Sequence, residues 1–179
     1  MPNRRTDTLH AHRWSAPGMR YFVTCCTQKR RGSLTAIETS MLIRSAAVAS
    51  DALGDTETYA FTVMPDHVHW LFQLGGRLSL GRLVARFKVQ TGPVLDIGRL
   101  AWQRDFYEHR LRAEESSEAY GRYIFLNPYR AGLLHDATWP GWFCARPEIF
   151  GFLALLNEDG SPPRAWIGEA IPQGLAIGE

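Results

Sequence analysis

The sequence predicts an α+β fold in which a ferredoxin-like antiparallel sheet is covered by helices on one face. Strand-like and helix-like segments alternate in the order strand, helix, strand, strand, helix, strand, helix. The two consecutive strands are joined by only Pro65 and Asp66, a turn-forming pair that favours antiparallel pairing. Apolar residues make up 45% of the 179 residues, which is enough for one core of ordinary size.

Each element has its own local signature. The strand-like segments are rich in aromatic and β-branched residues, and the helix-like segments carry apolar residues at helical spacing. Gly54 marks the end of the first helix, and Pro128 is expected to stop the last one. These patterns predict strands at residues 19–27, 58–64 and 67–74, a short strand or extended segment at 102–111, and helices at 34–53, from Leu80 onward, and at 114–127.

The chain is predicted to form one domain over residues 1–150, with a basic N-terminal arm, followed by an acidic and partly flexible tail over residues 151–179. No apolar run approaches the roughly 20 residues that cross a bilayer, and the basic start has no apolar signal segment after it. We therefore expect a cytoplasmic protein with no membrane partner. The three cysteines fit neither a disulfide framework nor a paired metal site, and we expect them to be buried thiols.

Basic residues are concentrated in two segments, although the formal net charge is only +2. Residues 1–32 hold seven Lys or Arg against one acid, and residues 77–112 hold eight against three. Such clusters suit a phosphate backbone, and they are also common on proteins that never bind nucleic acid. The candidate phosphate contacts are Arg4, Arg5, Arg13, Arg20, Lys29, Arg30, Arg31, Arg82, Arg86 and Lys88.

The motif His67-Val68-His69 is the sharpest chemical feature of the sequence. Side chains at i and i+2 of a strand project from the same face, so both imidazoles can meet one divalent cation. Taken alone, the pattern is weak, and surface or core histidines with hydrogen-bonded rings explain it more often than a metal pair does. A metal site needs at least one further ligand.

Tyr123 and Asn127 supply a nucleophile and a ligand one helical turn apart. A tyrosine hydroxyl can attack phosphorus, and an amide oxygen can complete the coordination of Mg²⁺. Because free tyrosine has a pKa of about 10, it needs a proton acceptor or a polarised phosphate, and a cation at the histidines would provide the second. The pair can also be read as part of a half-buried helix stripe. His109 stays open as a proton shuttle, a phosphate contact or a structural residue.

Four segments, in the order RYFVTCCTQKRRG, MPDHVHWLF, WQRDFYEHRLR and RYIFLNPYRAGLL, resemble the REP-associated tyrosine transposases, relatives of the single-tyrosine HUH transposases. The likeness runs from Arg20 to Leu134. It implies an HUH nuclease-like fold, a metal pair at His67 and His69, and a nucleophile at Tyr123 that forms a covalent 5′-phosphotyrosine. It also implies Asn127 as the third metal ligand, Mg²⁺ or Mn²⁺ as cofactor, and single-stranded or hairpin DNA from REP-like repeats as the partner.

Two positions depart from the family pattern. Asp66 stands where Asn is common, and Tyr129 replaces the Val of the usual NPVRAGL stretch. Neither change removes a catalytic atom. Asp66 nevertheless adds a carboxylate near the site. The sequence leaves open whether the protein is a monomer or a homodimer. Two other functions also stay open: a non-catalytic hairpin-binding module of the same fold, and a metal-dependent phosphodiesterase in which water attacks.

Overall fold

The computed structural model describes residues 15–32 and 34–171 and contains one antiparallel sheet of five strands. The strand order is β4-β1-β3-β2-β5, so the strand that carries the two histidines is central. Arg4, Arg5 and Arg13 lie outside the described residues. The strands are β1 (Arg20–Cys26), β2 (Thr56–Val63), β3 (His67–Leu74), β4 (Tyr107–Arg110) and β5 (Trp142–Cys144).

Three long helices and one short helix accompany the sheet. Serine side chains cap two of them: Ser79 accepts a hydrogen bond from the backbone N–H of Arg82, and Ser116 accepts one from that of Glu118. The helices are α1 (Ile37–Ala52), α2 (Leu80–Ile97), α3 (Ser117–Arg130) and α4 (Arg164–Ile167).

The helices cover both faces of the sheet, so the predicted one-sided arrangement is wrong. Trp70 and Phe72 of β3 point towards α1 and α2, where Phe87 packs on Trp70. Leu71 points to the opposite face, where it packs with Ile124 of α3. The central strands are buried at nearly every position, and a strand that is buried on both sides needs cover on both sides.

Helix α3 passes through Pro128 instead of ending at Asn127 as predicted. A proline in the last turn removes one backbone hydrogen bond, which is less costly than in the middle of a helix. Pro128 and Tyr129 are both buried, and the Tyr129 hydroxyl donates to the carbonyl of Ala137 at 2.7 Å. Tertiary packing therefore extends the helix past Asn127, so that Asn127 and Tyr123 lie one turn apart on the same helix.

Packing continues beyond residue 150. Phe152 is buried against Phe125 of α3. The guanidinium carbon of Arg122 lies 4.2 Å from the centre of the Trp166 ring. Glu169 forms an ion pair with Arg122 at 2.7 Å. Residues 151–171 therefore belong to the same packed body as the preceding residues, and the predicted boundary at residue 150 is not marked by a break in packing.

Two further expectations concern membranes and thiols. Among the described residues, none of the helices combines the length and the apolar character that a membrane crossing requires. The three cysteines are free, but only Cys25 is buried; Cys26 and Cys144 are partly exposed. The expectation of buried thiols therefore holds for Cys25, where burial raises the pKa to about 12.

Candidate active site

A cavity of about 280 Å³ lies between the β2–β3 turn, the start of β3 and the middle of α3. His67 and His69 enter it from β3, and Tyr123 and Asn127 enter it from α3. One chain therefore brings together all four residues that the sequence singled out for chemistry. The remaining lining residues are Thr24, Arg30, Met64, Pro65, Asp66, Ala131 and Leu133.

The two imidazoles converge through their Nε2 atoms, which lie 3.1 Å apart. Their other ring nitrogens are held from behind: Nδ1 of His67 lies 2.7 Å from Asp66 Oδ1, and Nδ1 of His69 lies 2.8 Å from Thr24 Oγ1. Burial, followed by the nearby charges of His67 and Arg30, lowers the pKa of His69 well below its ordinary value. His69 is consequently neutral at physiological pH, as a metal ligand must be.

Asn127 and Tyr123 approach this pair from α3, one helical turn apart. The Asn127 amide Nδ2 lies 3.1 Å from His69 Nε2, and the Tyr123 ring lies 5.6 Å from the His69 ring. Phe22 packs between them, 5.2 Å from the His69 ring and 6.0 Å from the Tyr123 ring. These ring contacts hold the Tyr123 side chain against His69.

The donors present can hold a divalent cation: imidazole nitrogens suit transition-metal ions, and an amide oxygen suits hard ions such as Mg²⁺ and Mn²⁺. Within residues 15–32 and 34–171 there is no cluster of three His, Cys, Asp or Glu side chains that could hold a metal. Asn127 can offer a third protein ligand beside His67 and His69, because rotation of its side-chain amide presents the oxygen in place of Nδ2. Two imidazoles and one amide oxygen leave room for water or phosphate oxygens, as Mg²⁺ and Mn²⁺ require.

Arg30 is the predicted phosphate contact that lies nearest to this chemistry. Its backbone takes a left-handed conformation with φ of 52°, and its Nε lies 2.7 Å from Asp66 Oδ2. Lys29 and Arg31 are its exposed neighbours and line a separate cavity of about 310 Å³ together with Arg99. Arg99 was missed in the sequence because nothing local indicates that the end of α2 meets the turn after β1.

The other predicted basic contacts are dispersed. Arg20 donates to Ser117 Oγ at 2.7 Å, and Arg82 is exposed on α2. Arg86 instead forms an ion pair with the fully buried Asp55 at 2.6 Å. Lys88 donates to three backbone carbonyls in residues 103–105. Arg86 and Lys88 are thus engaged within the fold, and the phosphate contacts predicted for them stay predictions.

His109 lies outside the cavity. Its Nε2 is 2.8 Å from a Glu115 carboxylate oxygen, and its ring stacks on Tyr120 at 5.5 Å. Glu115 also accepts from the Tyr120 hydroxyl at 3.0 Å. Of the three possibilities left open in the sequence, these contacts support the structural role, which ties β4 to the start of α3.

Comparison with known proteins places the chain among transposases. The family model for IS200-like transposases matches residues 15–125, which is more than half of the chain. A REP-associated tyrosine transposase of Escherichia coli K12 is 26% identical over 130 residues, covering 72% of this chain and 78% of that protein. The solved structure of a REP-associated tyrosine transposase bound to a REP hairpin has the same fold, with a TM-score of 0.59 and 24% identity over 69% of this chain and 74% of that one. The resemblance and the fold class predicted from the sequence are confirmed, and the chain belongs to the IS200-like transposase family.

Proposed function

We propose that this protein is a metal-dependent single-stranded DNA endonuclease and strand transferase that acts on hairpin repeats through a covalent 5′-phosphotyrosine at Tyr123. The observation that carries the proposal is the convergence of His67, His69, Asn127 and Tyr123 on one cavity within one chain. Hydrogen-bonded core histidines would account for the Nε2–Nε2 contact, and what favours a catalytic site is that a tyrosine and an amide line the same cavity.

The first chemical step is an in-line attack of the Tyr123 hydroxyl oxygen on a DNA phosphorus. A bond forms between that oxygen and phosphorus, the bond from phosphorus to the 3′ oxygen of the preceding nucleotide breaks, and the released 3′ oxygen takes up a proton while tyrosine loses one. The 3′ part of the strand stays on the protein through its 5′ phosphate. Attack by a 3′-OH on this linkage restores Tyr123 and joins the strand, so no external energy source is needed.

The side chains around the cavity divide the remaining tasks. His67, His69 and Asn127 would hold a divalent cation, which when bound supplies positive charge that polarises a phosphoryl oxygen and offsets the charge of the pentavalent state. Phe22 holds the Tyr123 ring against His69, which limits the positions that the hydroxyl can reach. Arg30 places a guanidinium at the same cavity, where it can bind a phosphate adjacent to the scissile one.

The assignment of hairpin DNA rests on the relatives. A solved structure with the same fold contains a REP hairpin, and the E. coli relative is named for REP association. In this chain the exposed Lys29 and Arg31 flank Arg30 in sequence and line a second cavity with Arg99, so three basic side chains against one acidic one, Asp96, lie there. We infer that the DNA backbone runs along these basic side chains.

The proposal is tested with labelled single-stranded hairpin oligonucleotides from repeats that flank the gene. The protein is incubated with Mg²⁺, Mn²⁺ or chelator and run on a denaturing protein gel. Label must migrate with the protein only when metal is present, must vanish in Tyr123→Phe, and must weaken or vanish in His67→Ala.

The two other functions predict different outcomes. Cleavage without an adduct, retained in Tyr123→Phe, would show that water is the nucleophile and that the protein is a phosphodiesterase. Tight binding of several hairpins with neither cleavage nor adduct would show a non-catalytic binding module.

A further inference from the structure

Each histidine of the candidate metal pair is held by one neighbour through its Nδ1 atom, while the Nε2 atoms of the two rings face each other. Thr24 Oγ1 lies 2.8 Å from Nδ1 of His69, and Asp66 Oδ1 lies 2.7 Å from Nδ1 of His67. Thr24 comes from β1 and Asp66 from the β2–β3 turn, so two separate elements converge on the same task.

These partners determine which ring nitrogen carries the proton. An ionised carboxylate can only accept, so a neutral His67 that bonds to Asp66 carries its proton on Nδ1 and keeps the Nε2 lone pair free. The amide N–H of Asn127 points at Nε2 of His69, which makes that Nε2 an acceptor and places the His69 proton on Nδ1, towards Thr24. The two Nε2 atoms then face each other at 3.1 Å, where a cation, or one shared proton when no cation is bound, lies between their lone pairs.

Asp66 has a second partner on its other carboxylate oxygen. The Nε of Arg30 lies 2.7 Å from Asp66 Oδ2, while Oδ1 remains with His67. One carboxylate therefore connects a candidate metal ligand with the basic side chain that lines the same cavity. A side chain with a single acceptor oxygen and no charge could hold His67 but would not form the ion pair with Arg30.

Resting on the proposed function, we propose that Thr24 and Asp66 are positioning residues that hold His69 and His67 as Nδ1–H tautomers with both Nε2 atoms ready for a cation. Asp66 additionally positions Arg30 for DNA. Neither residue touches the reacting atoms; each acts through the group that it holds.

Thr62 offers a matched control for Thr24. Both threonines are directly opposite His69 in the sheet, Thr24 on β1 and Thr62 on β2. Both are buried, but among the described residues Thr62 Oγ1 has no hydrogen-bond partner. Replacement by valine changes the same atoms at both positions, and only at Thr24 does it remove a hydrogen bond to the ring.

The test measures Mn²⁺ binding to the full chain without DNA, by the loss of the free-ion EPR signal. Thr24→Val and Asp66→Ala should each weaken Mn²⁺ affinity about 10- to 100-fold, the range seen when outer partners of metal ligands are removed. Thr62→Val should bind as the wild type does. Thr24→Ser and Asp66→Asn keep an acceptor for Nδ1 and should restore most of the Mn²⁺ affinity, whereas Asp66→Asn should still bind hairpin DNA more weakly because the ion pair with Arg30 is lost.

A second readout does not depend on metal. The ¹⁵N chemical shifts of the histidine rings in the metal-free protein should show a proton on Nδ1 of both His67 and His69, with His69 altered in Thr24→Val and unchanged in Thr62→Val. Equal behaviour of the two valine variants in both readouts would overturn the inference. A wild type that has these tautomers but binds no Mn²⁺ would overturn the metal site of the proposed function and leave the positioning role intact.

Discussion

The two faces of the sheet are built by the same strands and both carry an apolar core, but the candidate site lies on the face towards α3. On the face towards α1 and α2, β3 presents Val68, Trp70 and Phe72 to an apolar core. On the face towards α3, the alternate positions of β3 are His67, His69 and Leu71. Because side chains alternate along β3, both histidines of the candidate site lie on the face towards α3, and Val68, Trp70 and Phe72 lie on the other face.

Polar groups are treated differently on the two faces. Towards α1 and α2 they are bound internally, as where the Trp70 indole N–H donates to Thr58 at 2.9 Å and that of Trp102 donates to Thr91 at 2.8 Å. Towards α3 the polar atoms of His67 and His69 point into a cavity that a ligand can enter. We therefore expect substitutions in the core under α1 and α2 to lower stability, and substitutions at the cavity to lower activity.

The largest expected effect, on adduct formation, tests whether a single chain supplies the whole candidate site. Because His67 and Tyr123 of one chain line the same cavity, a mixture of His67→Ala and Tyr123→Phe proteins should form no DNA adduct beyond that of each variant alone. Denaturing gels with labelled hairpin check this. Restoration of the adduct in the mixture would mean that two chains share the site, and mixtures with wild-type protein serve as the control.

On the structural face, Phe87→Ala should lower the free energy of unfolding by about 3–5 kcal/mol, because it leaves a cavity against Phe61 and Trp70. Val89, on the same helix, is 75% exposed, so Val89→Ala should change stability by less than about 0.5 kcal/mol. Urea unfolding measures both. At temperatures where Phe87→Ala is still folded, its adduct formation should match that of the wild type, and a selective loss of activity would break the separation of the faces.

A smaller effect is expected at the packing of α3 on the C-terminal segment. A Cβ at Gly121 would lie 2.2 Å from a ring carbon of Phe150, so Gly121→Ala should cost about 1–3 kcal/mol. Gly81 of α2 has open space around it, and Gly81→Ala should stabilise the protein by about 0.5–1 kcal/mol through helix propensity. Thermal unfolding of the two variants should therefore shift in opposite directions, and a shared direction would contradict the described contact.

The smallest effect is a pH dependence at the start of α3. Partial burial raises the pKa of Glu115, but hydrogen bonds from the Arg112 backbone, His109 and Tyr120 outweigh it and hold that pKa below its ordinary value. A lowered pKa in the folded state contributes stability above the unfolded value of about 4.3, and this contribution is lost as the pH falls through the folded value. Glu115→Gln should thus be less stable than wild type at pH 6, and the difference should shrink below about pH 4. A difference that is independent of pH would mean that the carboxylate charge is not involved.

The sequence predicted well what depends on local pattern. The β3 segment at residues 67–74 and the Pro65-Asp66 turn are confirmed, because alternation and turn chemistry act over a few residues. The spacing of Tyr123 and Asn127 correctly placed both side chains on one side of a helix.

Features that depend on distant packing were missed. Helix α3 continues through Pro128 because Tyr129 reaches the Ala137 carbonyl, which the local proline rule does not include. The sequence predicted Arg86 as a phosphate contact, but Arg86 pairs with Asp55, which is separated from it along the chain by β2 and β3. Thr24 was overlooked because its position opposite His69 is set by the register between β1 and β3.

The most direct test of the account is to locate the covalent bond. Hairpin oligonucleotides labelled at either end are incubated with protein and metal, and the adduct is digested and analysed by mass spectrometry. The account predicts that the 3′-labelled part of the strand is attached, through its 5′ phosphate, to the peptide that contains Tyr123. Attachment to another residue such as Tyr120, attachment of the 5′-labelled part, or cleavage without any attached peptide would contradict it.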